Sequence, residues 1–268
     1  MIKETGSTGS VSWAARMLLG ELMSFRQAPR SSDREWEITR SHSLWLATGR
    51  GDRPFPTLFW PLPGQTGPED LQALRRSHGA APVMGGPSDD ETAGRWRPLL
   101  ESDGWAYESF PLMVARAGVL PLAEAVPRAL QISPVRDAAA FSVFRNIAVA
   151  TNGALARLRT AVYGSHGFSA DAPIQHWLGW WDGRPVATAT VTFFANCPTL
   201  WTLGTLAEAR GRGIGRAMTL AALQAVVARG HEFMALAATP SGYPVYAHLG
   251  FEVVDAIHFF IAPPTEAG

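Results

Sequence analysis

Cysteine is nearly absent. The single Cys197 among 268 residues excludes an intrachain disulfide framework and any multi-cysteine zinc site. Charge is scarce as well: Asp, Glu, Lys and Arg make up 17% of the chain, against about 25% in ordinary globular domains. The 23 basic residues cancel the 23 acidic ones, which argues against a protein held on nucleic acid or on a membrane mainly by bulk charge. None of the seven histidines stands in His-x-x-x-His or an equivalent ligand pair, so no metal site is expected. Long apolar runs are missing too. The richest window, 218–228, is interrupted by Thr219 and Gln224, and no membrane span is expected. The first ten residues carry one lysine and no apolar core before Val11, unlike a secretory leader. Together with the lone thiol, this points to a reducing cytoplasm.

What is present is apolar and punctuated by glycine. Hydrophobic residues are 47% of the chain, and a compact chain of this length buries roughly 70–75% of its unfolded surface. Ala14, Met17, Leu18 and Leu22 recur at helical spacing over 12–26. Strands are expected at 35–38, 44–47 and 56–60, a helix at 68–78, and a strand at 81–84. A second helix opens at Ser88, where Asp89, Asp90 and Glu91 suit a helix start better than a metal site. Gly104 ends that helix before a strand over 105–115. The Pro- and Ala-rich stretch 118–133 reads as a linker between halves.

The second half begins with a helix capped by Asp137 and a further helical stretch, 154–162. Strands at 174–181 and 186–193 flank Asp182-Gly183, a strong hairpin signal. A strand at 200–206, a helix at 211–229, a strand at 233–238, a short helix at 243–249 and a strand at 251–261 complete it. Both halves share the order helix, strand, helix, Gly-aromatic, strand (Gly104-Trp105, Gly250-Phe251), which suggests a duplication.

Arg210-Gly211-Arg212-Gly213-Ile214-Gly215 falls between a strand and a helix. Glycines there let backbone amides approach a ligand, and the helix start adds partial positive charge. With Arg210, Arg212 and Arg216 beside them, this is the expected seat of a pyrophosphate. It is not a P-loop, since Arg216 and Ala217 follow Gly215. Nor is it a dinucleotide fingerprint, because its spacing is wrong and a hairpin strand precedes it.

The segment Trp201 to Gly215 instead resembles the acetyl-CoA-binding segment of the GCN5-related N-acetyltransferase (GNAT) family. The run Ala238-Thr-Pro-Ser-Gly-Tyr-Pro-Val-Tyr-Ala-His-Leu-Gly-Phe is similar to its second hallmark, and Asp182-Gly-Arg-Pro-Val-Ala-Thr-Ala to its central hairpin. The resemblance covers about 135–262. It implies an α/β fold with a mixed sheet: a catalytic GNAT domain over 126–268 and a degenerate GNAT-like copy over 1–125 that lacks the glycine turn. It also implies that Leu203, Gly204 and Thr205 hold the pantetheine arm of acetyl-CoA through main-chain groups. Gly211, Arg212, Gly213, Ile214, Gly215 and Arg216, with Arg210, then take the pyrophosphate, and Tyr246 protonates the departing sulfur.

The expected reaction is acetyl transfer from acetyl-CoA to a primary amine of a small molecule, by direct attack in a ternary complex and without a metal. An amide near Leu206 would polarise the thioester carbonyl. The alternatives are another donor (aminoacyl-tRNA or a longer acyl-CoA) and a non-catalytic acyl-CoA-binding protein. Glu208, His176, His166 and Asp171 are the candidates for general base, though each reads equally as a surface or structural residue. Trp177 and Trp181 share one face of a strand, with Trp180 opposite; they could wall a substrate or fill core.

Overall fold

The computed structural model describes residues 12–28, 36–40, 44–49, 57–61, 74, 83–85, 90–116 and 126–263. Helix α1 (Trp13–Arg26) starts where Ser12 Oγ accepts from the Ala15 amide. Strands β1 (Trp36–Arg40), β2 (Leu44–Gly49), β3 (Thr57–Pro61) and β4 (Val83–Gly85) follow. Then come α2 (Asp90–Ser102) and β5 (Ala106–Arg116). The expected helix over 68–78 lies outside the described residues, apart from the buried, helical Leu74.

The linker expectation needs correction. Although 117–125 is not described, Leu130–Pro134 is a strand, β6, paired antiparallel with Trp177–Trp181. Leu and Ile alternating with Gln and Ser make a short edge strand even in Pro-rich surroundings, and an edge position tolerates Pro134.

Helix α3 (Ala138–Gly164) is capped by Asp137 and broken at Gly153, whose φ of 70° and ψ of −159° interrupt the helix. The two expected helical stretches are thus two helices that meet at Gly153, labelled together as α3. The hairpin β7 (Ile174–Trp181) to β8 (Arg184–Thr192) turns at Asp182 and Gly183, both at positive φ (47° and 74°), as a two-residue primed turn requires. Strand β9 (Thr199–Thr205), helix α4 (Ile214–Ala228), β10 (Phe233–Ala237), α5 (Tyr243–His248) and β11 (Glu252–Ile261) complete the chain.

The eleven strands of the described residues form one mixed sheet in the order β1-β2-β3-β4-β11-β5-β10-β9-β8-β7-β6. At the centre the strands come from both ends of the chain: β5 pairs with β10, and β11 pairs with β4. Strands β5 and β11 pair with each other along Glu252–Ile261. Working outward, β4 runs parallel to β3, and β10 parallel to β9.

Polar links among the described residues join α1 to the second half. Asp255 Oδ2 accepts from the Ala14 amide at 3.0 Å, His166 Nε2–H donates to the Ser24 carbonyl at 2.7 Å, and Arg159 pairs with Glu21. One core lies between the sheet and α4–α5 and contains Ala187, Ala189, Met218, Leu223 and Tyr246. Another lies under α1 and the end of α3, with Met17, Phe25, Leu158, Val162 and Trp201.

Candidate acyl-CoA site

Strand β9 changes character midway. Its first four residues, Thr199 to Thr202, are buried, while Leu203, Gly204 and Thr205 are half-buried. The register with β8 slips between Thr188 and Thr190, so Thr202 and Leu203 together oppose Ala189: a β-bulge. Thr202 takes a φ of +45°, an uncommon conformation for a β-branched residue. Hydroxyls hold it there. Thr202 Oγ1 donates to Thr190 Oγ1 at 2.7 Å, and Thr188 Oγ1 donates to the Thr202 carbonyl at 2.9 Å.

On its other side β9 meets β10 in register only at Thr199↔Ala235, so beyond that pair the parallel strands diverge. The Leu206 amide donates to the Val186 carbonyl at 2.9 Å and is therefore spent on β8. Of the amides near Leu206, its own is therefore not the one left for a carbonyl. By strand alternation the Thr205 amide faces the opposite, diverging edge.

Gly204 is required by contact. A Cβ there would lie 2.6 Å from Thr151 Cβ, 2.9 Å from Asn152 Nδ2 and in collision with Thr151 Oγ1, all on the last turn of α3 before its break. Gly204→Ala is expected to cost about 1–3 kcal/mol through overpacking. In Gly204→Ala/Thr151→Gly the loss should fall short of the sum of the single losses. Urea denaturation of the four proteins measures this, and strict additivity would rule the contact out.

After β9 the chain makes a single 3-10 turn (Ala207–Ala209), an extended Arg210, and Gly211 and Gly213 at φ 75°. Helix α4 therefore begins at Ile214, three residues later than the glycine pattern alone indicated. Gly213 is its cap and supplies no side-chain acceptor to the first-turn amides. Among the described residues nothing lies within 4 Å of a Cβ built on Gly211 or Gly215. A helix start without a side-chain cap and with open space in front suits an anion. Arg210 Nε donates to the Thr205 carbonyl and Arg212 to the Glu208 carbonyl, bracing the turn while both guanidinium groups stay exposed. Arg212 also stands 5.1 Å over the Trp181 ring. Ile214 is buried in the core that contains Tyr246, and Leu203 and Leu206 pack against that core. Strand end, helix start and tyrosine are thereby brought together.

Tyr246 sits on α5, 8% exposed, with its ring 5.8 Å from Phe251. Gly242 gives it room, since a Cβ there would come 2.8 Å from Tyr246 Cε2. Burial pushes the phenol up to about 12. Trp177 is core, and Trp180 lies on the opposite face with Nε1 donating to Ser133 Oγ at 3.0 Å.

Of the base candidates, Glu208 is the one beside this place. His176 is buried on the α3 face, 2.9 Å from Thr190 Oγ1. Asp171 is exposed and interacts with Ser169 and Arg229. Because Arg229 caps the far end of α4 and donates to Ala170 and Ala172, Asp171 lies roughly 20 Å from the turn, the length of a 15-residue helix. His166 is engaged with Ser24, and Glu208 is exposed on the 3-10 turn. Cys197 is buried and its thiol raised to about 11. Among the described residues no three His, Cys, Asp or Glu side chains are grouped to hold a metal ion, and no helix is long and apolar enough to cross a membrane.

Residues 150–251 match the family model described as Acetyltransferase (GNAT) family. That stretch is a GNAT domain. It spans β9, the glycine turn, α4 and α5. The full-length fold is also that of solved GNAT structures. A GCN5-related N-acetyltransferase from Kribbella flavida is 20% identical with a TM-score of 0.66, over 96% of this chain and 98% of that one. A GCN5-related N-acetyltransferase-like protein from Streptococcus suis is 15% identical, TM-score 0.57, over 92% and 98%. A tandem GNAT protein from the clavulanic acid biosynthesis pathway is 15% identical, TM-score 0.53, over 96% and 98%. No curated protein sequence matches the chain.

Proposed function

We propose that this GNAT protein transfers an acetyl group from acetyl-CoA to a primary amine of a small molecule, within one ternary complex. The observation that carries the reading is a bulged strand end diverging from its neighbour, next to an uncapped, glycine-lined helix start. A pantetheine arm, which carries amides, can pair with the diverging edge at Leu203, Gly204 and Thr205. The pyrophosphate can rest on the amides from Gly211 to Arg216, with Arg210 and Arg212 flanking it. The amine nitrogen attacks the thioester carbon, a C–N bond forms, the C–S bond breaks, and the amine proton passes to water. Tyr246 gives its hydroxyl proton to the departing sulfur and regains one from solvent. We read 1–125 and 126–268 as two copies of the fold that exchange their last strands, with chemistry confined to the second. A cytoplasmic location goes with this reading, since the lone thiol suits a reducing compartment.

Two measurements test it: calorimetry with CoA, and release of free thiol from acetyl-CoA across a panel of primary amines. Saturable CoA binding with amine-dependent thiol release supports the proposal. Binding without turnover on any amine would favour an acyl-CoA-binding protein, and no binding would sink the site altogether. Gly213→Val should leave the fold intact but weaken CoA by about tenfold or more. A β-branched residue strains a left-handed cap, and its side chain would crowd the first-turn amides.

A further inference from the structure

Glu21 belongs to the first half, yet one oxygen of its carboxylate is engaged by the second. On α1 it is 1% exposed. Its Oε1 accepts from Arg159 Nε at 2.6 Å and lies 2.5 Å from Nη2 of the same guanidinium, while Oε2 accepts from Trp60 Nε1 at 3.3 Å. The partner is 138 positions away. Arg159, itself buried on α3, lays its guanidinium 4.3 Å over the ring of Trp201. Trp201 immediately precedes Thr202, the positive-φ residue of the β9 bulge. Its own Nε1 is buried with no hydrogen-bond partner among the described residues, so the ring is oriented by the guanidinium plane and by packing. Across the sheet Trp201 pairs with Thr190, which accepts the Thr202 hydroxyl. An unbroken line of contacts thus runs from α1 of the first half to the bulge.

We propose that Glu21 and Arg159 are positioning residues through which the first half sets the bulge geometry of β9, and with it the edge offered to the coenzyme arm. The first half would then be a clamp on the second half's site. A buried ion pair is a poor source of stability, because removing two charges from water offsets most of their attraction. What such a pair does supply is directional constraint, and here the constrained object is the residue beside the bulge. This inference rests on the acyl-CoA reading of that strand.

The test uses the full chain and two mild variants. Arg159→Lys keeps the positive charge but loses the flat face that stacks on Trp201. Glu21→Gln keeps the volume and acceptor oxygen but loses the charge. Each is compared with wild type by calorimetry with CoA and by amine-dependent kcat and KM for acetyl-CoA, well below its own melting temperature. The expected result is a five- to tenfold weaker CoA Kd, with a matching rise in KM and little change in kcat, while circular dichroism stays that of wild type. A merely structural role would lower the melting temperature and leave Kd within twofold, which overturns the proposal. Should Arg159→Lys not fold, Glu21→Gln decides between the two outcomes by itself. Wild type failing to bind CoA would instead refute the acyl-CoA reading, a distinct outcome from wild-type binding with unaltered variants.

Discussion

Tyr246→Phe should lower kcat for acetyl transfer by about two orders of magnitude, the usual range for losing one donor or acid at a reacting centre, with KM for acetyl-CoA nearly unchanged. The asymmetry follows from position. Tyr246 is on α5, whereas the elements expected to hold the coenzyme are β9 and the turn before α4. Phenylalanine preserves the ring that packs beside Phe251 and removes only the hydroxyl. The pH profile adds a second check. Because burial holds the phenol at about 12, its proton stays on through any practical assay, and wild-type kcat should show no descending limb near pH 10. A phenol held this tightly acts as a hydrogen-bond donor to the developing thiolate, its proton moving only as the C–S bond opens. Steady-state kinetics from pH 6 to 11 on both proteins decide it. A mutant with wild-type kcat would make Tyr246 a packing residue only.

Local features of the site are legible in the sequence, and long-range ones are not. Gly211 and Gly213 adopt positive φ, a constraint that glycine advertises at its own position. Tyr246 can be found from its spacing to Leu249-Gly250-Phe251 alone. The bulge is different. Nothing about Thr202 signals a φ of +45°; that conformation comes from the hydroxyls of Thr188 and Thr190, on another strand. The helix expected over 211–229 starts late because arginines and glycines are compatible with both a turn and a first helical turn, and only the Gly213 backbone separates the two. His176 is a base candidate by residue type, since histidine carries the right chemistry, but its burial is set by α3 packing over β7.

The pairing of strands across the halves is hidden for the same reason. Each strand is visible as a segment, but the pairing of β5 with β10 and of β11 with β4 is a matter of partners, which an alternation pattern does not encode. Glu21 does leave a trace. It stands four residues after Met17 and four before Phe25, both buried, so a carboxylate occupies the apolar stripe of α1. A charge at such a place calls for a buried partner, and the structure supplies Arg159.

His176 makes the fold sensitive to acid. The ring is 2% exposed and packs against Phe141, Phe144 and Tyr163. Thr202 donates to Thr190, which directs the Thr190 proton to His176 Nδ1 and leaves the ring neutral, protonated at Nε2. Burial, reinforced by the nearby His166, lowers its pKa to about 3. An unfolded chain takes up this proton near pH 6.5, whereas the folded one holds it off until about pH 3. Between those values the unfolded state binds more protons, so stability falls as pH falls, by up to about a tenfold factor in the folding equilibrium per pH unit. From pH 7 to pH 4 the group should remove roughly 3 kcal/mol, and His166, lowered by burial as well, acts in the same direction. His176→Asn keeps an acceptor oxygen for the Thr190 hydroxyl but has nothing to protonate. It should be less stable at pH 7 by about 1–3 kcal/mol and show a markedly flatter decline toward pH 4. Urea denaturation of both proteins at pH 7, 5.5 and 4 gives the difference directly, with the contribution of carboxylates common to the two. Parallel declines would mean that His176 is already charged in the folded protein, and that the apolar wall around it admits water.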